Sequence, residues 1–190
     1  MRTLSRSFFA RPTLQVAESL IGRTLYRLTG EGLVSGRIVE TEAYCGTDDP
    51  SSHAFKGPTP RSAIMFGPPG HLYVYLSYGM HHCANIVAHS SGRAGAVLLR
   101  AVEPAEGKDL MAQRRGVDSP MLLARGPGRL CRAFAVSLAD NGADLTAGAI
   151  SIGARRVLRA PIARSARVGL RAGMDQPWRF YEPGPWTSRP

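Results

Sequence analysis

Lysine is nearly missing from this chain: among 24 cationic side chains in 190 residues, only Lys56 and Lys108 are lysines. Covalent chemistry through a lysine Schiff base therefore has little to draw on. Cysteine is sparse too. Cys45, Cys83 and Cys131 are odd in number and far apart, which argues against a disulfide scaffold and fits free thiols in a reducing compartment. No stretch approaches the roughly 18 consecutive apolar residues of a membrane-spanning helix. The opening "MRTLSRSFFARPTL" also lacks the apolar core of a signal peptide. A cytoplasmic protein that does not engage a membrane is expected.

What is present suits one ordinary domain over residues 1–190: 44% of residues are hydrophobic, enough to bury a core without disulfides or metal. The formal net charge of +10 favours phosphate-rich partners, although basic proteins are common and charge alone does not select nucleic acid.

"PTLQVAESLIG" places Leu14, Ala17, Leu20 and Ile21 on one helical face, with Pro12 at the start and Gly22 as the stop. "TLYRLTGEGLVSGRIVETEAY" reads as two strands joined at Gly30-Glu31-Gly32. Strict alternation would put Ile38, Glu40, Glu42 and Tyr44 on one face of the second strand, opposite Val39, Thr41 and Ala43. Turn signals fill residues 45 to 70, a connection long enough to be functional. "HLYVYLSYG" and "MHHCANIVA" form a hairpin with Tyr78 near its tip, and "AVLLRAVEP" gives a strand ending near Arg100. "EGKDLMAQRR" and "GPGRLCRAFA" read as helices, "AISIG" as a short strand, and an arginine-rich passage runs to about residue 171. Strict β-α alternation is absent. The expectation is an α+β fold: a mixed domain with a curved, largely antiparallel sheet, peripheral helices and a protruding β-hairpin.

Four acids, Glu40, Glu42, Asp48 and Asp49, fall within "ETEAYCGTDD". A carboxylate cluster could hold Mg2+ for phosphodiester cleavage, but no third acid is fixed beside the two glutamates. "HHC" at 81 to 83 has no partner pair at zinc spacing. No metal and no cofactor are expected. Glu42 could act as a base on water attacking a sugar carbon, next to the Tyr44 ring; taken alone, a strand-end glutamate is far more often a solvated or ion-paired residue. Tyr73 and Tyr75 read by default as core, whereas Tyr78 beside Gly79 at a turn is poorly placed for that. A tip aromatic can wedge into a base stack.

With these residues in hand, "GRIVETEAYCGTDDPSSHAF", "GPTPRSAIMFGPPGHLYVYLSYGMHHCANIV", "AVLLRAVEP", "GPGRLCRAF" and "RVGLRAG" followed by "PWRFYEPGPW" resemble the alkyladenine (3-methyladenine) DNA glycosylase family. The match covers nearly the whole chain in family order and spacing. It implies excision of alkylated or deaminated purines: 3-methyladenine, 7-methylguanine, hypoxanthine and ethenoadenine as a class.

The resemblance also implies site residues. Glu42 falls on the general base and Arg100 on an arginine that places the attacking water. Tyr44, His53 and Tyr75 fall on residues that wall the flipped base, and Asn85 on an asparagine that lines the pocket and helps exclude normal purines. Tyr78 falls on the intercalating tyrosine. Glu40, Asp48 and Asp49 are left as structural or solvated. The implied partner is duplex DNA carrying damaged purines, met by a monomer. With so few amines the enzyme would be monofunctional, leaving an intact abasic site. His82 stands where many bacterial relatives carry a large aromatic, and Cys45 occupies a variable position. The chain also lacks the long N-terminal extension of animal relatives, so a compact bacterial, nucleoid-associated enzyme is expected. The rival reading is a non-catalytic binder of damaged or bent DNA, using the same wedge and charge without turnover.

Overall fold

The helix anticipated from "PTLQVAESLIG" runs Thr13–Leu20 (α2), after a single turn at Arg6–Phe9 (α1), in a computed structural model that describes residues 3–170 and 175–188. α2 buries Val16, Ala17 and Leu20, while Leu14 packs at the edge of the core. Gly22 takes φ 84°, a left-handed conformation that ends the helix without the penalty a Cβ would bring.

Two strands follow as a hairpin, β1 (Arg23–Thr29) and β2 (Gly32–Tyr44). The tyrosine-rich hairpin comprises β3 (Leu72–Ser77) and β4 (His81–Val87), and β5 (Ala96–Glu106) returns beside it. Three helices then succeed one another, α3 (Lys108–Arg115), α4 (Pro120–Leu123) and α5 (Pro127–Ala133). The chain closes with β6 (Ile150–Arg155), β7 (Ala163–Ser165) and β8 (Arg179–Tyr181). The strands make one sheet in the order β3-β4-β5-β2-β1-β6, with β8 joined to β2 and β7 to β8. Every strand pairing among the described residues is antiparallel. This is the mixed, largely antiparallel α+β architecture the sequence implied. β5 overruns its expected end by six residues, because Pro104 sits opposite Gly36 beside a register shift, where a missing N–H is tolerated.

β2 organises the molecule. β1 pairs with its first half, and β8 takes over that edge at Glu40, Thr41 and Glu42, while β5 covers the other edge through Tyr44. A segment flanked on both sides loses its solvent, and Glu40, Thr41 and Glu42 are all fully buried.

Strict alternation along β2 fails at one place. Ile38 pairs with Val102 and Glu40 with Ala101, so Val39 is an extra residue on β2. Next, Thr41 pairs with Leu99, which leaves Arg100 extra on β5. A bulge re-aims the side chains beyond it. Ile38 and Ala43 therefore join the main core, Thr41 donates its hydroxyl to Ala17 O at 2.9 Å, and Glu40 and Glu42 are left free for polar partners. Ile38 does not share a face with the two glutamates, contrary to the simple period.

Helix α5 packs against β4 and β5, with α3 beside it. On the other side of the hairpin a smaller apolar cluster forms from Ala54, Met65, Tyr73, Val87, Ala94 and Ala96. It pins the 45–70 connection, which includes 3-10 turns at Gly46–Asp48 and Ala63–Phe66, against the sheet.

Candidate active site

Glu42 lies where β5, β2 and β8 meet, with no solvent exposure. Its Oε1 accepts the Val168 N–H at 2.8 Å and lies 3.3 Å from Arg100 Nη1. Its Oε2 accepts the Tyr44 hydroxyl at 2.9 Å. Burial raises the Glu42 pKa above the ordinary carboxylate range; Arg100, the Val168 N–H and the Tyr44 hydroxyl pull it back, and the Glu40 charge adds to the rise. Tyr44 is itself held protonated, by burial first and by the Glu42 charge second. It is therefore a standing donor to the carboxylate. Such a carboxyl is positioned as a base whose proton affinity exceeds that of an exposed glutamate.

Glu40 is tied down completely. Its Oε1 accepts Arg100 Nε at 2.9 Å, Arg179 Nε at 2.7 Å and Ser188 Oγ at 2.8 Å, and its Oε2 accepts the Ser188 N–H at 2.7 Å. This acid is structural. It fixes the guanidinium of Arg100, the bulge residue, so that Nη1 turns toward Glu42. Burial opposes the charge on Arg100, but Glu42 and Glu40 outweigh it and raise its pKa.

Asp49 is buried as well and forms a two-pronged pair with Arg167, at 2.6 and 2.9 Å. Arg167 also donates to Ala43 O at 3.0 Å and lies 4.7 Å above the Tyr44 ring. The residue after Arg167 is Val168, whose N–H reaches Glu42. Asp48, by contrast, is exposed and pairs with Arg93. The four clustered acids thus separate into one candidate base, two buried anchors and one solvated residue.

Beside Tyr44 opens a recess of about 120 Å³ lined by Tyr44, His53, Tyr73, Tyr75, Asn85 and Leu170, among others. The expected pocket residues Tyr44, His53, Tyr75 and Asn85 are all brought together here. His53 packs edge-on to Tyr75, centroids 4.6 Å apart, and its Nδ1 lies 2.8 Å from the Tyr73 hydroxyl. Burial and then the Arg61 charge lower the His53 pKa to about 4, so the ring is neutral at physiological pH. The Asn85 amide is oriented by its bond to Tyr73 O at 3.2 Å. Arg61 lies 4.9 Å over the Tyr75 ring. The result is a small space walled by aromatic rings, with the polar ends of tyrosine, histidine and asparagine side chains at its edge.

Tyr78 stands apart from this recess at the hairpin tip, 87% exposed. Tyr78 and Gly79 take φ 50° and 70° in a loop closed by the Met80 N–H on Ser77 O at 3.1 Å. A left-handed tyrosine is strained by about 1–3 kcal/mol, and the turn holds the ring outward.

The second layer of the site was not anticipated. Arg167, Arg179 and Ser188 lie in or beside stretches that carry the family likeness, which assigns them no role, and the sequence leaves Asp49 as either structural or solvated, with no partner named. Arginines recurring in a chain with an acid-rich strand were the available signal. Part of "RVGLRAG", residues 171–173, lies outside the described residues. Among the described residues no three His, Cys, Asp or Glu side chains gather in a group that could hold a metal.

The sequence is similar to known proteins. The family model for "Methylpurine-DNA glycosylase (MPG)" matches residues 7–185. A protein of Rhodopseudomonas palustris is 48% identical over 177 residues, covering 93% of this chain and 83% of the relative. One from Frankia casuarinae is 46% identical, covering 95% and 89%, and one from Carboxydothermus hydrogenoformans is 46% identical, covering 94% of each. All three carry the name "Putative 3-methyladenine DNA glycosylase". The matched span includes the segments that build the recess and the buried carboxylate, and the chain belongs to the methylpurine-DNA glycosylase family.

Proposed function

We propose that this DNA glycosylase acts on alkylated and deaminated purines, rotating the damaged nucleotide out of the duplex and hydrolysing its N-glycosidic bond with a water activated by Glu42. The observation that carries the reading is a fully buried carboxylate with three polar partners next to an aromatic recess. A purine methylated at N3 or N7 is cationic in the nucleotide, so aromatic faces attract it. As the C1′–N bond breaks, its electron pair goes to the base, which leaves neutral. Water adds to C1′ and gives its proton to Glu42, while Arg100 helps place that water. Glu42 also stabilises the positive charge that develops on the sugar. For such a cationic base one carboxylate then suffices where ordinary glycosidases use a facing pair, whereas a neutral base such as hypoxanthine must also take up a proton as it leaves.

Tyr44, His53 and Tyr75 wall the base, Asn85 selects against normal purines, and Tyr78 fills the gap left in the stack. The DNA is met by a single copy of the chain. The abasic site is left intact, because the two lysines are exposed and neither lines the recess; the Met1 amine lies outside the described residues. The test is incubation with duplexes carrying 3-methyladenine, 7-methylguanine, hypoxanthine or ethenoadenine. Free base and an uncut, alkali-labile strand are expected. A strand nicked without alkali, or a borohydride-trapped adduct with abasic DNA, would refute the monofunctional assignment.

A further inference from the structure

The buried acids beside the base recess are each matched by an arginine. Glu42 has Arg100 at 3.3 Å, Glu40 has Arg179 at 2.7 Å and Asp49 has Arg167 at 2.6 Å. One more cation stands there unmatched. Arg61 lies 4.9 Å over the Tyr75 ring, and among the described residues no carboxylate forms an ion pair with it. The turn that carries it is closed by Ser62, which is fully buried. The Ser62 hydroxyl accepts the Thr59 N–H at 2.9 Å and donates to Gly57 O at 3.1 Å, while the Ser62 N–H donates to Thr59 Oγ1 at 3.1 Å. The same stretch leads directly into Met65, which lines the recess. The Arg61 charge is felt inside. Burial raises the Tyr73 pKa and Arg61 pulls it back; for His53 burial and Arg61 act together, and the ring is held neutral. A second positive charge is therefore opposed among the very rings that wall the recess, and Tyr75, whose face attracts cations, already has one over it.

We propose that Arg61 determines the order of lesions: its unmatched charge works against purines that are cationic, such as 7-methylguanine, and favours neutral ones, such as hypoxanthine and ethenoadenine. The inference rests on the glycosylase reading and narrows it. In the transition state a cationic purine still carries part of its charge and is opposed, whereas a neutral purine gains electron density as its C1′–N bond breaks and is stabilised by a fixed cation nearby. Arg61 thus offsets part of the attraction that the aromatic walls exert on a methylated base.

The experiment measures kcat/KM on duplexes carrying hypoxanthine or 7-methylguanine, slightly below neutral pH where the methylated base keeps its charge, for the wild type, Arg61→Gln and Arg61→Lys. Removing the charge should shift the ratio of the two toward 7-methylguanine by about tenfold, and Arg61→Lys, which keeps the charge, should restore the wild-type ratio. A lost phosphate contact would slow both duplexes alike and leave the ratio unmoved. A folded Arg61→Gln protein with the wild-type ratio would therefore overturn the proposal. The His53 ring gives a reading that needs no turnover: followed by NMR, its pKa should rise in Arg61→Gln and return in Arg61→Lys. An unmoved His53 titration would show that the charge does not reach the recess and would also overturn the proposal. Failure of the wild type to release either base would overturn the glycosylase reading and the lesion order with it, whereas release with an unchanged ratio overturns the lesion order alone.

Discussion

The buried Asp49–Arg167 pair offers a quantitative test of how the site is supported. Both side chains are essentially without solvent, at 1% and 0% exposure. Asp49 accepts four hydrogen bonds: two from Arg167, one from the Cys45 N–H at 3.1 Å and one from the Ser51 N–H at 3.0 Å. Asp49→Ala removes the charge partner of a buried guanidinium and the acceptor of two backbone N–H groups. Losing one partner of such a pair costs about 3–5 kcal/mol, which in a chain of this size lowers Tm by about 2–4 °C per kcal/mol. The expected fall, roughly 6–20 °C, is read by calorimetry alongside urea unfolding.

A paired change, Asp49→Leu with Arg167→Met, removes both charges and should recover most of the stability, since apolar replacements of buried pairs are often neutral. It should not recover excision. Arg167 also fixes Ala43 O, covers Tyr44 and precedes the Val168 N–H that reaches Glu42. The single-turnover rate of the paired variant should therefore stay depressed, with its acid limb at higher pH. If Asp49→Ala loses less than about 1 kcal/mol, or if the paired variant excises at the wild-type rate, the buried pair does not support the site as described.

Other expectations are shorter. On the proposed mechanism Glu42 acts in its ionised form, and its pKa is raised, so excision should rise with pH through a midpoint above the ordinary carboxylate range. Tyr44→Phe removes a donor worth about 1.5–3 kcal/mol to a charged acceptor and should move that midpoint higher; an unmoved limb in single-turnover profiles would contradict the assignment. Tyr78→Gly relieves the strain of φ 50° and should leave Tm unchanged or raised, while nucleotide flipping falls. Equal fluorescence from a base-analogue reporter opposite both proteins would remove the wedge role.

Much of the fold was legible because its signals are local. The α2 pattern, the Gly30–Gly32 turn and the tip at Tyr78-Gly79 each follow from short-range chemistry, and each stands where the sequence placed it. The bulges at Val39 and Arg100 were not legible, since they arise from pairing between β2 and β5 across some sixty residues. Their effect is large: a strict period of two would have put Ile38 beside the glutamates. The site divides in the same way. Tyr44 and Glu42, two residues apart on a strand, were correctly placed together, and the recess gathers the four expected residues. Arg167, Arg179 and Ser188 could not be placed from the sequence because each reaches its acid over more than a hundred positions. Counting acids in a cationic chain raises the question of what they hold, but only the fold says which arginine answers.

The central claim is that Glu42 is the base. The most direct measurement is base release from duplex DNA by Glu42→Gln under single-turnover conditions, alongside its affinity for the same duplex. A glutamine keeps the shape and can still hydrogen-bond to Val168 and Tyr44, but it takes no proton from water. Loss of base release with DNA binding retained is the expected result. Release at the wild-type rate by a folded, DNA-binding Glu42→Gln protein would contradict the claim.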